Sequence, residues 1–149
     1  MVAIRMSDPE TAPPDEAARH ASARTARASA LAQDYVEIIA DLLSREGEAR
    51  PTDIARRLGV THATAIKTIG RLKRDGLAHS KPYRGVFLTE AGHDLARRVR
   101  ARHLTVVAFL AALGVPPQVA EADAEGIEHH VSDETLAAFE RFLTKGAAA

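Results

Sequence analysis

A mainly α-helical chain in two parts is predicted, and three observations predict it. From Leu31 onward most apolar residues recur at i, i+3/i+4 and i+7, the spacing of amphipathic helices. The period changes only between Leu77 and Thr89, where two short strands fit better. Charge is also sharply divided along the chain. The 149 residues are 46% apolar, enough for one ordinary domain or two small ones sharing an interface. Lys+Arg and Asp+Glu both number 20, so the formal net charge is zero. Residues 50–84 nevertheless hold nine basic and two acidic residues, a net of +7, and residues 119–149 hold seven acidic and two basic, a net of −5. The middle calls for an anionic partner, and the C-terminal part concentrates carboxylates.

Several classes are excluded at once. With no cysteine there is no disulfide scaffold, Cys-based zinc site or thiol nucleophile. No stretch approaches the roughly 20 apolar residues that span a bilayer. The first 29 residues lack an apolar core and carry four acids, so neither a secretory signal nor a transit peptide is expected. A cytoplasmic protein without a membrane partner is the expectation.

Taken in order, residues 1–28 offer little to bury after Ile4 and Met6 and are expected to form a disordered tail. Leu31, Tyr35, Ile38, Ile39, Leu42 and Leu43 predict a first helix running out at Gly47. Thr52 is expected to cap a short second helix carrying Ile54, Ala55 and Leu58, with Gly59 closing it. Thr61 is expected to cap a third, with Ala65, Ile66, Ile69 and Leu72 inward, ending at Asp75-Gly76. Leu77-Ala78-His79 and Val86-Phe87-Leu88 predict two strands around the turn-rich tip Lys81-Pro82-Tyr83-Arg84-Gly85. Thr89-Glu90 restarts a helix that runs to Leu113, about 36 Å at 1.5 Å per residue. Pro116-Pro117 opens another to about His129, and Ser132 caps a last one bearing Leu136, Phe139, Phe142 and Leu143.

Helix, short helix, tight Gly59-Val60 turn, helix and hairpin is the layout of a winged helix-turn-helix. The third helix presents Thr61, His62, Thr64, Lys67, Thr68 and Arg71 away from its apolar stripe, in the manner of a recognition helix in a major groove. Its hydroxyls suit phosphates, and His62, Thr64 and Lys67 suit base edges. Lys81 and Arg84 on the hairpin tip suit backbone or minor groove. Because the +7 segment coincides with this layout, double-stranded DNA is the expected partner.

Further on, Glu125, Glu128 and His129 stand at i, i+3 and i+4, which on a helix places two carboxylates and an imidazole on one face. Such carboxylates repel unless a cation sits between them, and a divalent metal is the natural candidate. Asp34 and Glu37 form a second i, i+3 pair on the first helix, and His103 lies midway along the long one. Judged singly, Asp34 and Glu37 read as helix-end charges and His103 as a satisfied interior histidine.

Together these residues carry a resemblance. The chain resembles the manganese transport regulators of the diphtheria-toxin-repressor and iron-dependent-regulator family over about residues 31–145. Its anchors are Asp34-Tyr35-Val36-Glu37, Leu58-Gly59-Val60, Tyr83-Arg84-Gly85-Val86-Phe87-Leu88-Thr89, Arg102-His103, Leu113-Gly114-Val115 and, most specifically, Asp123 through Ser132. The resemblance implies metal ligands at Asp34, Glu37, His103, Glu125, Glu128 and His129, two Mn(II) ions per subunit, and a homodimer that binds palindromic operators and represses manganese uptake genes. It also implies the division 1–28 tail, 29–89 winged helix-turn-helix DNA-binding domain and 90–149 helical metal-binding and dimerisation domain. No counterpart of the extra C-terminal domain of the iron-responsive relatives is expected. Ala63 stands where a proline is common, and Gly70 is unusual in a recognition helix, so no operator sequence is carried over.

Four carboxylates and two imidazoles without sulfur suit Mn(II). The iron-responsive relatives instead use Met and Cys at the positions matching Asp34 and Glu125. Fe(II) is the main rival because ligand type separates the two ions poorly. The apolar richness of Val106, Val107, Phe109, Leu110, Leu113, Phe139, Phe142 and Leu143 independently favours a dimer. Two further classes compete with a metal-responsive regulator: a dinuclear metalloenzyme and a metal-independent winged-helix regulator. The first lacks any acid or base outside the six ligands, and no enzyme activity is expected.

Overall fold

The computed structural model describes residues 15–147. Helix α1 spans Glu16–Glu46, so it starts well before the boundary expected at residue 28; residues 1–14 of that expected tail lie outside the described residues. Its start needs no buried stripe. The Asp15 side chain accepts from the Ala18 N–H at 2.6 Å, and the Ala- and Arg-rich turns that follow have high helix propensity. Burial begins only in the second half, where Tyr35, Val36, Ile39 and Leu42 enter the core.

Helix α2 (Pro51–Leu58) is capped by Arg50 rather than Thr52, because Pro51 supplies the pre-set φ of a first helical position. Gly59, at φ 68°, ends it, with Val60 N–H donating to the Ala55 carbonyl at 3.0 Å. Thr61 then caps α3 (His62–Arg74), its Oγ1 accepting from the Thr64 N–H at 3.1 Å. Ala65, Ile69 and Leu72 are inward as expected, whereas Ile66 is 47% exposed. At 100° per residue Ile66 sits on the flank of that stripe, not in it.

Strands β1 (Ala78–Lys81) and β2 (Gly85–Leu88) pair antiparallel from Ala78↔Leu88 to Lys81↔Gly85. Leu77 is left out of the ladder; its carbonyl accepts from the Thr89 N–H instead, at 3.1 Å. The hairpin is tied to the rest of the winged helix by the Val86 N–H, which donates to the Ala49 carbonyl at 2.8 Å. These elements share one core, built from α1, α2, α3, the hairpin and Ala96 of the following helix.

One residue, Thr89, separates β2 from α4 (Glu90–Ala112). Its Oγ1 accepts from the Gly92 N–H at 3.1 Å and donates to the Gly76 carbonyl at 2.6 Å, joining the end of α3 to the start of α4. Helix α4 packs against α1 and then against α5 (Pro117–Ile127) and α6 (Asp133–Ala147). Phe109 stacks on Phe139 with ring centroids 3.9 Å apart and meets Phe142 edge-on at 5.5 Å. Leu104, Leu113, Val119 and Phe142 of this helical layer remain exposed. Among the described residues no helix is long and apolar enough to cross a membrane.

Candidate metal centre and nucleic-acid interface

Helices α1, α4 and α5 bring the six expected ligands to one region, in two groups. His103 of α4, Glu125 of α5 and Glu128 place one ligand atom each within 4.8 Å of one another. His103 Nδ1 lies 2.5 Å from Glu128 Oε2 and 3.6 Å from Glu125 Oε1. On the other side, His129 Nε2 comes to 2.9 Å from Asp34 Oδ1 of α1. Glu128 stands between the groups, its Oε1 3.4 Å from His129 Nε2. Among the described residues Glu37 makes no ion pair, but with Asp34 and Glu125 it lines a cleft of about 460 Å³.

The expected helix through His129 is shorter than the spacing implied. Helix α5 ends at Ile127, and Glu128 is its cap, still in helical conformation. Glu125 and Glu128 therefore keep their shared face. His129 lies beyond the helix in the following turn and reaches α1 rather than His103.

Three residues outside the expected set complete this region. Gln33 Oε1 lies 2.7 Å from His129 Nδ1 and orients that ring. Glu121 Oε2 lies 2.8 Å from His103 Nε2. Arg102 holds the turn carrying Glu128 and His129, donating from Nε to the Glu128 carbonyl at 3.0 Å, to the Val131 carbonyl, and from Nη1 to Asp133 at 2.8 Å. Glu121 is within reach of the spacing argument, being four residues before Glu125 on the same helical face. Arg102 carries no such signal, since two of its partners are backbone carbonyls.

Glu128 is 1% exposed, and burial pushes its carboxyl up to about 7 despite the neighbouring imidazoles. Burial and the facing carboxylates of Glu125 and Asp34 raise Glu37 as well. Burial works against a charged His103, but the hydrogen-bonded Glu121 and Glu128 outweigh it and hold the imidazole above its usual value. The Asp34 carboxylate does the same for His129. Each group binds its proton more tightly in the folded chain than in the unfolded one. Their contribution to the stability of the metal-free protein is therefore full in acid and is lost as pH rises, for Glu128 from the ordinary carboxylate range up through about 7 and for the two histidines above the ordinary imidazole value. Glu128 alone accounts for up to about 3 kcal/mol of that loss. Urea denaturation in chelator at pH 6 and pH 8 checks it, with the lower stability expected at pH 8.

The geometry fits a hard divalent cation. Among the described residues, Glu128 Oε1 is buried without a hydrogen-bond partner, and it faces His129 Nε2, itself in contact with the Asp34 carboxylate at 2.9 Å. Leaving such an oxygen bare costs about 1–3 kcal/mol, more when it is charged, unless something binds it. The donors around it are carboxylate oxygens and imidazole nitrogens only.

In the winged helix, Thr61, His62, Thr64, Lys67 and Arg71 are exposed along α3, while Thr68 is half-buried. Thr61 and Thr64 hydroxyls are hydrogen-bonded to each other at 2.9 Å, which ties part of the expected hydroxyl surface to capping. Arg84 is exposed on the hairpin tip, and Lys81 lies 4.9 Å above the Phe87 ring. Tyr83, not among the expected contacts, is fully exposed at φ 63°, the third position of a turn closed by Arg84 N–H to the Lys81 carbonyl. Glycine is the residue such a turn favours.

Comparison with known proteins gives one consistent picture. Residues 28–86 match the family model for the iron dependent repressor N-terminal DNA binding domain. Residues 89–147 match that for the iron dependent repressor metal binding and dimerisation domain. The transcriptional regulator MntR of Escherichia coli is 51% identical over 125 residues, covering 84% of this chain and 81% of that one. An HTH-type transcriptional regulator MntR of Listeria monocytogenes is 38% identical over 100 residues, 67% of this chain and 70% of that one. A solved structure described as a manganese-dependent transcriptional repressor in complex with manganese superposes with a TM-score of 0.65 at 31% identity. That alignment covers 75% of this chain and 52% of the other, so this chain spans about half the length of that neighbour.

Proposed function

The chain belongs to the iron-dependent repressor family, and from that premise we propose that it is a manganese-responsive transcriptional repressor. In this reading Asp34, Glu37, His103, Glu125, Glu128 and His129 hold two Mn(II) ions per subunit. The observation that carries it is the buried Glu128 Oε1, without a hydrogen-bond partner among the described residues and facing His129 Nε2 at the junction of the two ligand groups. The relatives are transcriptional regulators, which sets an enzyme aside.

When bound, Mn(II) supplies the positive charge that lets the converging carboxylates ionise together. What the chain contributes is connection. Helix α1 carries Asp34 and Glu37 on one face and the winged-helix core residues Tyr35, Val36, Ile39 and Leu42 on others. Holding Asp34 against His129 thus fixes the DNA-reading elements relative to α5. Exposed Leu104, Leu113, Val119 and Phe142 supply apolar surface for a second subunit. In a homodimer this sets the separation of two α3 helices near one turn of DNA, about 34 Å, which suits palindromic operators. His62, Thr64, Lys67 and Arg71 face the major groove, and Lys81 and Arg84 the backbone. The regulated genes in this reading encode manganese uptake.

Linkage makes the proposal quantitative. If Mn(II) raises operator affinity by some factor, operator raises Mn(II) affinity by the same factor, about 5–150-fold for coupling of 1–3 kcal/mol. Fluorescence anisotropy with DNA selected from a random pool, in Mn(II), anaerobic Fe(II), Zn(II) or chelator, tests it. Binding that needs Mn(II) supports the reading. Equal binding in chelator would discard the metal switch, and activation by Fe(II) in preference to Mn(II) would make iron the effector.

A further inference from the structure

We propose that Glu121 is a positioning residue for the metal centre, one that selects the metal-facing nitrogen of His103. The inference deepens the reading above and rests on it. His103 side chain is 13% exposed and its two ring nitrogens face different surroundings. Nδ1 points at Glu128 Oε2 and Glu125 Oε1, the donor cluster. Nε2 points the other way, to Glu121 Oε2 at 2.8 Å. A carboxylate on Nε2 can only accept, so when a cation takes the place of the proton that Glu128 faces on Nδ1, the remaining proton stays on Nε2 and the Nδ1 lone pair is directed into the donor cluster. The same contact fixes the ring plane. A carboxylate behind a ligating imidazole also raises its basicity, and loss of such a partner costs about 10- to 100-fold in metal affinity.

Helix α5 makes this arrangement possible. Glu121 and Glu125 lie four residues apart on one face, so the helix that presents a donor also presents the group behind the facing histidine. Glu121 is 62% exposed and makes no other ion pair among the described residues, so its removal disturbs no buried packing. It takes no place in the donor cluster itself, because its carboxylate meets His103 on the nitrogen directed away from Glu125 and Glu128.

The test compares the full chain with Glu121→Ala and Glu121→Gln. Mn(II) affinity and stoichiometry are read from the EPR signal of free Mn(II), and the His103 tautomer from ring nitrogen NMR of the chain loaded with Zn(II), a diamagnetic stand-in. Wild type is expected to hold the proton on Nε2. Glu121→Ala is expected to bind the same number of ions about 10-fold or more weakly and to populate both tautomers. Glu121→Gln keeps an acceptor and is expected to restore most of the affinity and the tautomer. Unchanged affinity in Glu121→Ala, an Nδ1 proton in wild type, or a Gln variant as weak as the Ala one would overturn the assignment. Loss of one ion from the stoichiometry would make Glu121 a ligand instead, which also overturns it. Failure of wild type to bind Mn(II) at all would overturn the regulator reading on which the assignment rests.

Discussion

Glu128→Gln is expected to abolish manganese-dependent operator binding while making the metal-free chain more stable above pH 7. The two effects have one origin. Glu128 is buried, its Oε2 meets His103 and its Oε1 has no hydrogen-bond partner among the described residues. Ionising it in the metal-free fold costs free energy, which is why its carboxyl titrates near 7. A neutral amide of the same shape removes that cost. At pH 8 the gain is up to about 3 kcal/mol in chelator, vanishing as pH falls below the ordinary carboxylate range. The amide is a poor donor to a hard cation, so the coupling of about 5- to 150-fold between metal and operator should disappear. Urea denaturation in chelator and anisotropy in Mn(II) read the two halves separately. Manganese-dependent binding that survives the substitution would remove Glu128 from the ligand set.

Gly92→Ala is expected to destabilise the winged helix by about 3 kcal/mol or more and to lose operator binding as a consequence. A Cβ at Gly92 would stand 2.0 Å from the Leu77 carbonyl oxygen and 3.2 Å from the Leu88 Cβ. Neither is the free end of a flexible side chain. The Leu77 carbonyl already accepts from the Thr89 N–H, and Gly92 N–H donates to Thr89 Oγ1, so the first turn of α4 cannot back away without breaking its own cap. Gly70→Ala is the contrasting case. Its Cβ would meet only the Arg74 guanidinium at 3.6 Å, and α3 should gain about 1 kcal/mol. Urea midpoints that move in opposite directions for the two variants support the argument; a Gly92→Ala midpoint equal to wild type would refute it.

What is legible in the sequence is chiefly what is local. The Thr61 cap and the left-handed Gly59 follow from residue type and position, and α4 follows from a long run without Pro or a second breaker. The i, i+3 pairs Asp34/Glu37 and Glu125/Glu128 are visible because carboxylates at that spacing need an explanation. Tertiary geometry decides the rest. His129 shares a helical spacing with Glu125, yet the helix stops at Ile127 and the ring crosses to Asp34 and Gln33. Gln33 is uncharged and gives no signal of its own. Ile66 belongs inward by chemical type alone, although its angular position is off the stripe. The early start of α1 escapes a reading based on apolar period, since its first turns are helical without being buried.

The single residue between wing and α4 has a mechanical consequence. Thr89 leaves no flexible joint: its backbone and side chain fasten β2, the end of α3 and α4 into one piece. Helix α4 then acts as a lever arm with His103 near its fulcrum. Glu90 lies about 20 Å along the axis from His103 at 1.5 Å per residue. A pivot of about 10° there swings the wing by about 3.5 Å, close to the roughly 3.4 Å of helix axis that each phosphate of one strand occupies. In the proposed switch, a small angular slack at the fulcrum would be a whole step of misregister at the DNA, so tightening a few donor atoms around His103 would decide whether both heads of a dimer land in phase.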